Sequence, residues 1–330
     1  MNVHSRGLAS RPPRIRLTAQ QLNSQFCADV LAGLSEHPKH VPPKYFYDER
    51  GSELFDEITR LPEYYPTRTE LEILRQNADA IARQCPPGAA LVEFGAGSSA
   101  KARIVLQASR DVGAYVPVDI SADFLLREAA VFARELPHVA IHPVVADFTH
   151  DVVLPRELDG RSRVGFFPGS TIGNFEPHEA ARFLHHAAGL LGAGATLIIG
   201  VDLVKDPEIL RAAYNDSAGV TAAFNLNLLH RMESELGAEV DIKAFRHYAF
   251  YNREQRRIEM HLASCSAQSI RVCGKCFDFR RGESIHTENS YKYTPESFRA
   301  LAAGAGWRPA ALWTDPQQYF SIHALVAQSQ

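Results

Sequence analysis

The stretch that most constrains this chain is Leu91-Val92-Glu93-Phe94-Gly95-Ala96-Gly97-Ser98-Ser99-Ala100-Lys101. An apolar run carries an acid near its end, a glycine-rich turn follows, and a helix-like segment opens behind it. This is the pattern of the first strand, turn and helix of an α/β unit that binds a nucleotide or nucleoside. Glycines let the backbone approach a ligand closely, and a helix N-terminus presents free N–H groups. Gly95, Gly97 and Ala100 also satisfy the dinucleotide spacing G-x-G-x-x-G/A. The turn by itself does not say which nucleoside is held.

The segments around the turn place it in a parallel sheet. Strand-like runs at 91–94, 115–118, 141–145, 164–167 and 196–200 alternate with helical periods at 101–109, 122–135 and 177–191. Strand, helix, strand at this rhythm implies parallel pairing with right-handed crossovers. After Asp202 the rhythm breaks. Residues 207–236 read as helical, and 245–251, 257–264, 269–279 and 284–293 read as antiparallel strands, with Asn252-Arg253-Glu254 as a turn. A helix over 295–303 and closing strands at 307–313 and 320–326 resume the sheet, so an antiparallel insertion between the fifth and sixth strands is the simplest organisation.

Ahead of the turn, residues 41–70 read VPPKYFYDERGSELFDEITRLPEYYPTRTE and hold six aromatics, Tyr45, Phe46, Tyr47, Phe55, Tyr64 and Tyr65. One short helix over 51–59 lies between two proline-bounded loops. A tyrosine offers a flat apolar body and a hydroxyl, which suits a pocket for a planar polar ligand. A helical period over 69–84 follows, with Leu71, Ile73, Leu74, Ala78 and Ile81 on or near one face.

Composition bounds the partners. With 330 residues, 45% hydrophobic and 22% charged, and a net charge of −3, the chain is ordinary globular material. It has no basic field that favours nucleic acid or an anionic membrane. No apolar run is long enough to span a bilayer and no signal peptide is apparent, so a cytoplasmic protein is expected, working as a monomer. Five cysteines, an odd number, fit a reduced compartment better than a disulfide framework. Cys273-Gly274-Lys275-Cys276 is a single C-x-x-C without a second ligand pair at zinc spacing, so adjacent strand residues are expected and no metal site. Residues 1–28 carry Arg6, Arg11, Arg14 and Arg16 and no acid. A transit peptide could look like this, but the arm lacks a clear amphipathic repeat. A disordered arm over 1–15 and a first helix near 19–34 are expected.

Acids at later strand ends bear on the cofactor. Asp119 lies about 24 residues past Gly95, the usual place for a carboxylate that binds ribose hydroxyls. A nicotinamide cofactor and S-adenosylmethionine (SAM) both carry a ribose. Asp147-Phe148 discriminates further, because a carboxylate beside an aromatic suits an adenine whose amino group donates and whose ring stacks. Strand-end acids also cap helices, though three in one sheet make capping alone a weaker account. A hydride-transfer enzyme would want a His, Lys or Tyr near the later strands. None stands out, since His185 and His186 sit within the apolar helix 177–191. SAM is therefore the expected cofactor, and Glu93 two residues before Gly95 is where its methyltransferases keep an acid. The fourth strand runs into Phe167-Pro168-Gly169-Ser170-Thr171-Ile172-Gly173-Asn174-Phe175, a ligand-side loop. There Asn174 can both donate and accept toward an amino acid, or else cap the following helix.

At this point the residues amount to a family resemblance. The run PPKYFYDERGSELFDEITRLPEYYPTRTE resembles the N-terminal signature of the ergothioneine-pathway histidine Nα-methyltransferases. GSTIGN, DLVKD with AYNDSAGVTAAFN, RIEMHL and TENSYKY match the same family in the same order. The resemblance covers nearly the whole chain beyond its first few tens of residues. It implies a Rossmann-like class I SAM methyltransferase domain, residues 69–203 with 295–330. It also implies an inserted α+β substrate-binding domain, residues 16–68 with 204–294. Gly95, Lys101, Asp119, Asp147 and Phe148 match SAM-binding positions. Asn174 and Tyr214 match residues that hold a substrate carboxylate. Tyr64, Glu288 and Ser290 match residues around an imidazole, with Met260 lining that pocket, and Tyr47 and Phe55 match positions near the α-amine. Gly169 and Asn289 complete the substrate set. The implied reaction is trimethylation of L-histidine at its α-nitrogen. A relative acting on a prenylated tryptophan, or a non-catalytic binder on the same fold, are the other readings. A buried Glu288 would be left unpaired by an indole, at a cost of about 1–3 kcal/mol, which favours histidine.

Overall fold

A computed structural model describes residues 19–97, 99–109 and 111–329; the arm expected over 1–15 lies outside them. The described chain begins with four helices, α1 (Ala19–Ser35), α2 (Glu49–Ile58), α3 (Tyr65–Gln76) and α4 (Ala78–Ala82). α2 starts where the Asp48 carboxylate accepts the Gly51 N–H at 2.7 Å, and it buries Gly51, Leu54 and Ile58 at helical spacing. The alternating half follows as β1 (Ala90–Phe94), α5 (Ser99–Ala108), β2 (Ala114–Asp119), α6 (Ala122–Glu135), β3 (Ala140–Ile141), β4 (Val144–Val145), β5 (Arg163–Phe167), α7 (Pro177–Leu191) and β6 (Thr196–Asp202).

The chain then leaves the sheet through α8 (Pro207–Ala213) and α9 (Val220–Leu236) into β7 (Phe245–Asn252), β8 (Arg257–Ser264), β9 (Gln268–Val272), β10 (Lys275–Phe279) and β11 (Ser284–Tyr291). It returns through α10 (Pro295–Gly304), β12 (Trp307–Thr314) and β13 (Phe320–Ala327). The main sheet runs β12-β13-β6-β5-β1-β2-β3, with β4 also on β2. β1, β2, β5 and β6 are mutually parallel, while β13 runs antiparallel between β6 and β12. Every residue of β1 is buried, as a strand covered on both faces requires. Ala90, Val92 and Phe94 join one apolar core and Leu91 another across the sheet. A third core gathers Phe26, Phe46, Leu54, Phe224, Met260 and Ile285 from the N-terminal helices and the excursion after β6.

Four expectations are corrected here. The strand expected over 141–145 is two short pairings with β2, broken at His142-Pro143, where proline has no N–H to give the ladder. The helix expected over 207–236 is two, and Gly219 at φ +76 separates them. There Asp216 accepts the Val220 and Thr221 N–H groups at 2.9 and 2.8 Å, starting α9 anew. The strand expected over 269–279 is the hairpin β9–β10, turned by Cys273 and Gly274 at φ 49 and 77. Positive φ at both central residues is the two-residue turn that matches strand twist. Finally, the cysteines are not all free. Cys273 in that turn is bonded to Cys27 on α1, 246 residues away, a pairing that local spacing could not show. Among the described residues no helix is long and apolar enough to cross a membrane.

Candidate active site

The parallel strands end at one edge, and a cavity opens there where β1 has β2 on one side and β5 on the other. Strand order reverses at this point, which is where open α/β sheets bind ligands. Gly95 sits at φ +74, and a Cβ there would lie 3.3 Å from the Phe148 ring. Backbone conformation and space therefore both call for glycine. The Val118 carbonyl accepts the Gly95 and Ala96 N–H groups at 2.9 and 3.2 Å and ties the turn to β2.

Asp119 ends β2, accepts the Ser121 N–H at 2.8 Å, and has its pKa raised by burial. Asp147 accepts from the Thr149 N–H at 2.9 Å and hydroxyl at 2.5 Å. Burial works to raise its pKa, but these bonds and Lys44 at 3.7 Å hold it below the usual carboxylate value. Phe148 stands edge-on to Phe167, Phe175 and Phe183 at centroid distances of 5.6, 6.5 and 6.0 Å. Lys101 is held 2.6 Å from Glu70 of α3, whose two oxygens both accept the Gly169 N–H at 2.9 Å. Gly95, Lys101, Asp119, Asp147 and Phe148 all line the cavity.

Glu93 lines it too. Burial raises its carboxyl to about 8, against a hydrogen bond from the Tyr115 hydroxyl, and its Oε1 is buried without a partner among the described residues. A buried acceptor at a cavity wall is satisfied by a donor on a ligand. The set fits a nucleoside with an amino-acid tail: Asp119 for ribose hydroxyls, Phe148 for the flat base, and Glu93 for an ammonium group.

The rest of the cavity is aromatic and comes from the excursion and the N-terminal helices. Tyr47, Phe55, Tyr64, Tyr214 and Phe224 form a chain of tilted and edge-on rings with centroids 5.7 to 6.2 Å apart. Met260 of β8 and Glu288 and Ser290 of β11 close the far wall, and Asn174 and Gly169 come from the loop after β5. That loop is glycine-rich because β11 packs on it: a Cβ on Gly173 would lie 2.8 Å from the Tyr291 carbonyl.

A β-bulge aims Glu288. The register slips between His286, opposite His261, and Glu288, opposite Met260, leaving Thr287 as the extra residue. Without the slip, the alternation of side chains would put His286 and Glu288 on one face. Burial raises the Glu288 carboxyl to about 7, partly offset by Lys292, and no hydrogen bond or ion pair among the described residues engages it. Burial and the charge of Glu288 also push the Tyr47 hydroxyl far above its ordinary value.

The sequence of the SAM-dependent, histidine-specific methyltransferase family matches residues 26–327. The chain belongs to that family. It is 46% identical to the histidine N-alpha-methyltransferase of Mycolicibacterium smegmatis, over 90% of this chain and 94% of the relative. It is 44% identical to that of Mycobacterium tuberculosis, over 89% and 92%. Ergothioneine biosynthesis protein 1 of Neurospora crassa is 31% identical over 94% of this chain and 36% of its own length.

In this methyltransferase one expected site residue lies elsewhere. Asn289 does not reach the cavity. It points to the other face of β11 and donates to Glu176 at 3.1 Å, because its neighbours Glu288 and Ser290 take the cavity face. Other residues escaped the sequence reading. Lys44 links Asp147 to Asp29 of α1, with Nζ 3.0 Å from the Asp29 carboxylate. Thr221 and Phe224 line the cavity from α9, whose start is hidden in the continuous helical pattern of 207–236. In the sequence Asp202 shows only as the point where the strand–helix rhythm breaks. It is wholly buried between Lys205 at 2.5 Å and Lys292 at 2.6 Å, with the Tyr65 hydroxyl donating at 2.7 Å. Burial works to raise its pKa and the two lysines hold it down. Acid and lysine within DLVKD were the available signal. On the far face of β8 and β11, Glu259, His261 and His286 bring ligand atoms within 4.8 Å of one another. Arg257 Nε sits 2.8 Å from Oε1 of Glu259 and His261 Nε2 3.1 Å from its Oε2, so that carboxylate is already paired at both oxygens.

Proposed function

We propose that this chain transfers methyl groups from SAM to the α-nitrogen of L-histidine, three in succession. The product is the trimethylated betaine hercynine, in the first step of ergothioneine biosynthesis. The observation that carries the substrate is the Glu288 carboxylate, buried on the cavity wall with no donor among the described residues and two residues from the Ser290 hydroxyl. An imidazole has one nitrogen that donates and one that accepts, so Glu288 takes the first and a hydroxyl of Ser290 or Tyr64 serves the second. An indole or a small apolar side chain satisfies neither. Asn174 and Tyr214 hold the substrate carboxylate in this reading.

Bound SAM supplies a methyl group already activated by its sulfonium. Gly95, Asp119, Asp147 and Phe148 would hold its nucleoside, with Glu93 and Lys101 at its amino-acid end. The chain's remaining work is to bind the α-amine unprotonated, strip its water and aim its lone pair. Tyr47 is the orienting group. Its hydroxyl stays protonated at neutral pH, because burial and nearby Glu288 oppose a phenolate. It therefore accepts an amine N–H and does not act as the base. Phe55 and Phe224 keep water from the amine.

We further place residues 16–68 with 204–294 as the substrate-binding unit and 69–203 with 295–330 as the SAM-binding unit, in a cytoplasmic monomer. The two cores on the large sheet and the third around Phe46 and Phe224 support that division. The deciding experiment is incubation with SAM and each free amino acid, followed by mass spectrometry. Three added methyl groups on histidine are expected; no product, or product on a tryptophan derivative alone, would overturn the reading.

A further inference from the structure

Lys292 lies outside the cavity lining, yet it touches two hydroxyls of the substrate wall. Its Nζ donates to the Ser290 Oγ at 2.7 Å and to the Tyr214 Oη at 3.2 Å, and it lies 2.6 Å from Oδ2 of Asp202. An ammonium has three N–H donors and no acceptor, so these three partners use all of them. The lysine is itself 2% exposed and its carboxylate partner 0%. That geometry leaves it no water to turn toward.

The consequence is a proton count. Ser290 Oγ and Tyr214 Oη lie 2.7 Å apart, and either can be the donor. While both oxygens accept from Lys292, one hydroxyl proton bridges the pair and the other has only the cavity to point to. The pair thus offers one donor outward whichever way the bridge runs. We propose that Lys292, held by Asp202, is a positioning residue that makes the Tyr214–Ser290 pair an obligate donor toward the substrate. The outward proton meets the accepting nitrogen of the imidazole when Ser290 carries it and the substrate carboxylate when Tyr214 does, with Glu288 as the acceptor on the same strand face. This rests on the histidine reading above.

Asp202 belongs to the strand β6 of the large sheet and Lys292 follows β11, so the substrate wall is set from the cofactor-binding half. Asp202 is also anchored by its backbone N–H, which donates to Ser170 Oγ at 2.8 Å in the loop that carries Asn174.

Removing Lys292 leaves Asp202 with Lys205 and Tyr65, so Lys292→Met is expected to fold. Its SAM affinity by calorimetry should stay within about twofold of wild type. Its KM for histidine should rise about tenfold or more, with kcat changed less than about threefold. Lys292→Gln, which keeps an N–H donor, should recover part of the KM. In a Ser290→Ala background, Lys292→Met should add no more than about threefold, because its principal target is gone and coupled residues do not add. A KM within twofold of wild type in Lys292→Met would overturn the proposal, as would the same fold-change in both backgrounds. If Lys292→Met does not fold, the comparison passes to Lys292→Gln with and without Ser290→Ala, judged by the same criterion. Failure of the wild-type enzyme to methylate histidine would instead sink the substrate reading itself.

Discussion

At the scale of single residues, Glu288 and Tyr47 divide the substrate's two ends. Ionised, Glu288 only accepts, whereas protonated it also presents an O–H that clashes with the donating imidazole nitrogen, and burial has moved its carboxyl from 4.5 to about 7. The KM for histidine is therefore expected to rise as pH drops through about 7. The imidazole of free histidine also charges near 6.5, so the measurement that isolates Glu288 is the wild-type profile against that of Glu288→Gln. The variant should show a KM higher by about 10- to 150-fold at pH 8, corresponding to about 1.5–3 kcal/mol for a hydrogen bond to a charged group. It should also show only the substrate's own pH dependence; parallel profiles for the two proteins would remove Glu288 from imidazole recognition. At the other end, Tyr47→Phe should lower kcat by about tenfold or more through a misdirected amine, with SAM binding intact. Unchanged turnover at all three methylations would end its assigned role.

Elements place those residues, and here the sequence was legible to different depths. The strand–turn–helix units around Gly95 and Asp119 could be read because a buried parallel strand shows as an apolar run and its acid as the stop. α6 and α7 are bounded by Ser121 and by Glu176-Pro177, start signals that fix the expected helices 122–135 and 177–191. What escaped depends on pairing across the chain. The Cys273-Gly274 turn hid inside a run that alternates smoothly. The slip at Thr287 is invisible locally, because HTENSY is polar up to its final tyrosine and has no apolar alternation to fix a register. Inserting one alanine between Met260 and His261 would give Thr287 a partner on β8, regularise the ladder and turn Glu288 and Ser290, with Met260, to the face now held by His286. Histidine methylation is expected to fall by more than about a hundredfold on that loss of alignment, with SAM still bound by calorimetry. Thr287→Ala keeps the residue count and loses only the hydroxyl bond to the Met260 carbonyl, 3.0 Å long. It should cost about 1 kcal/mol of stability and leave most of the activity. Equal loss in the two variants would mean that the bulge does not aim the strand.

Across the whole molecule, the cavity carries buried acids that folding alone does not satisfy, and this sets how stability should follow pH. Glu93 rises to about 8 and Glu288 to about 7 from 4.5, so the folded state retains protons that the unfolded state has released, and stability falls as pH climbs toward 8. Buried histidines act in the opposite sense. His286 and His323 drop to about 4, which makes stability rise with pH between about 4 and 6.5. Lys205, lowered to about 8 by burial, makes stability rise again above that pH. The window in which the cavity acids act unopposed is therefore about pH 6.5 to 8. Melting of the ligand-free protein should move to lower temperature across it. Glu93→Gln, which cannot ionise and keeps an acceptor for the Tyr115 hydroxyl, should flatten that slope and, because Glu93 opposes the histidines from about pH 4.5, steepen the rise below pH 6.5. A wild-type slope of zero between pH 6.5 and 8, or an equal slope in Glu93→Gln, would show that Glu93 already finds a partner in the free protein. In that case it would be no reserve for the ammonium end of SAM.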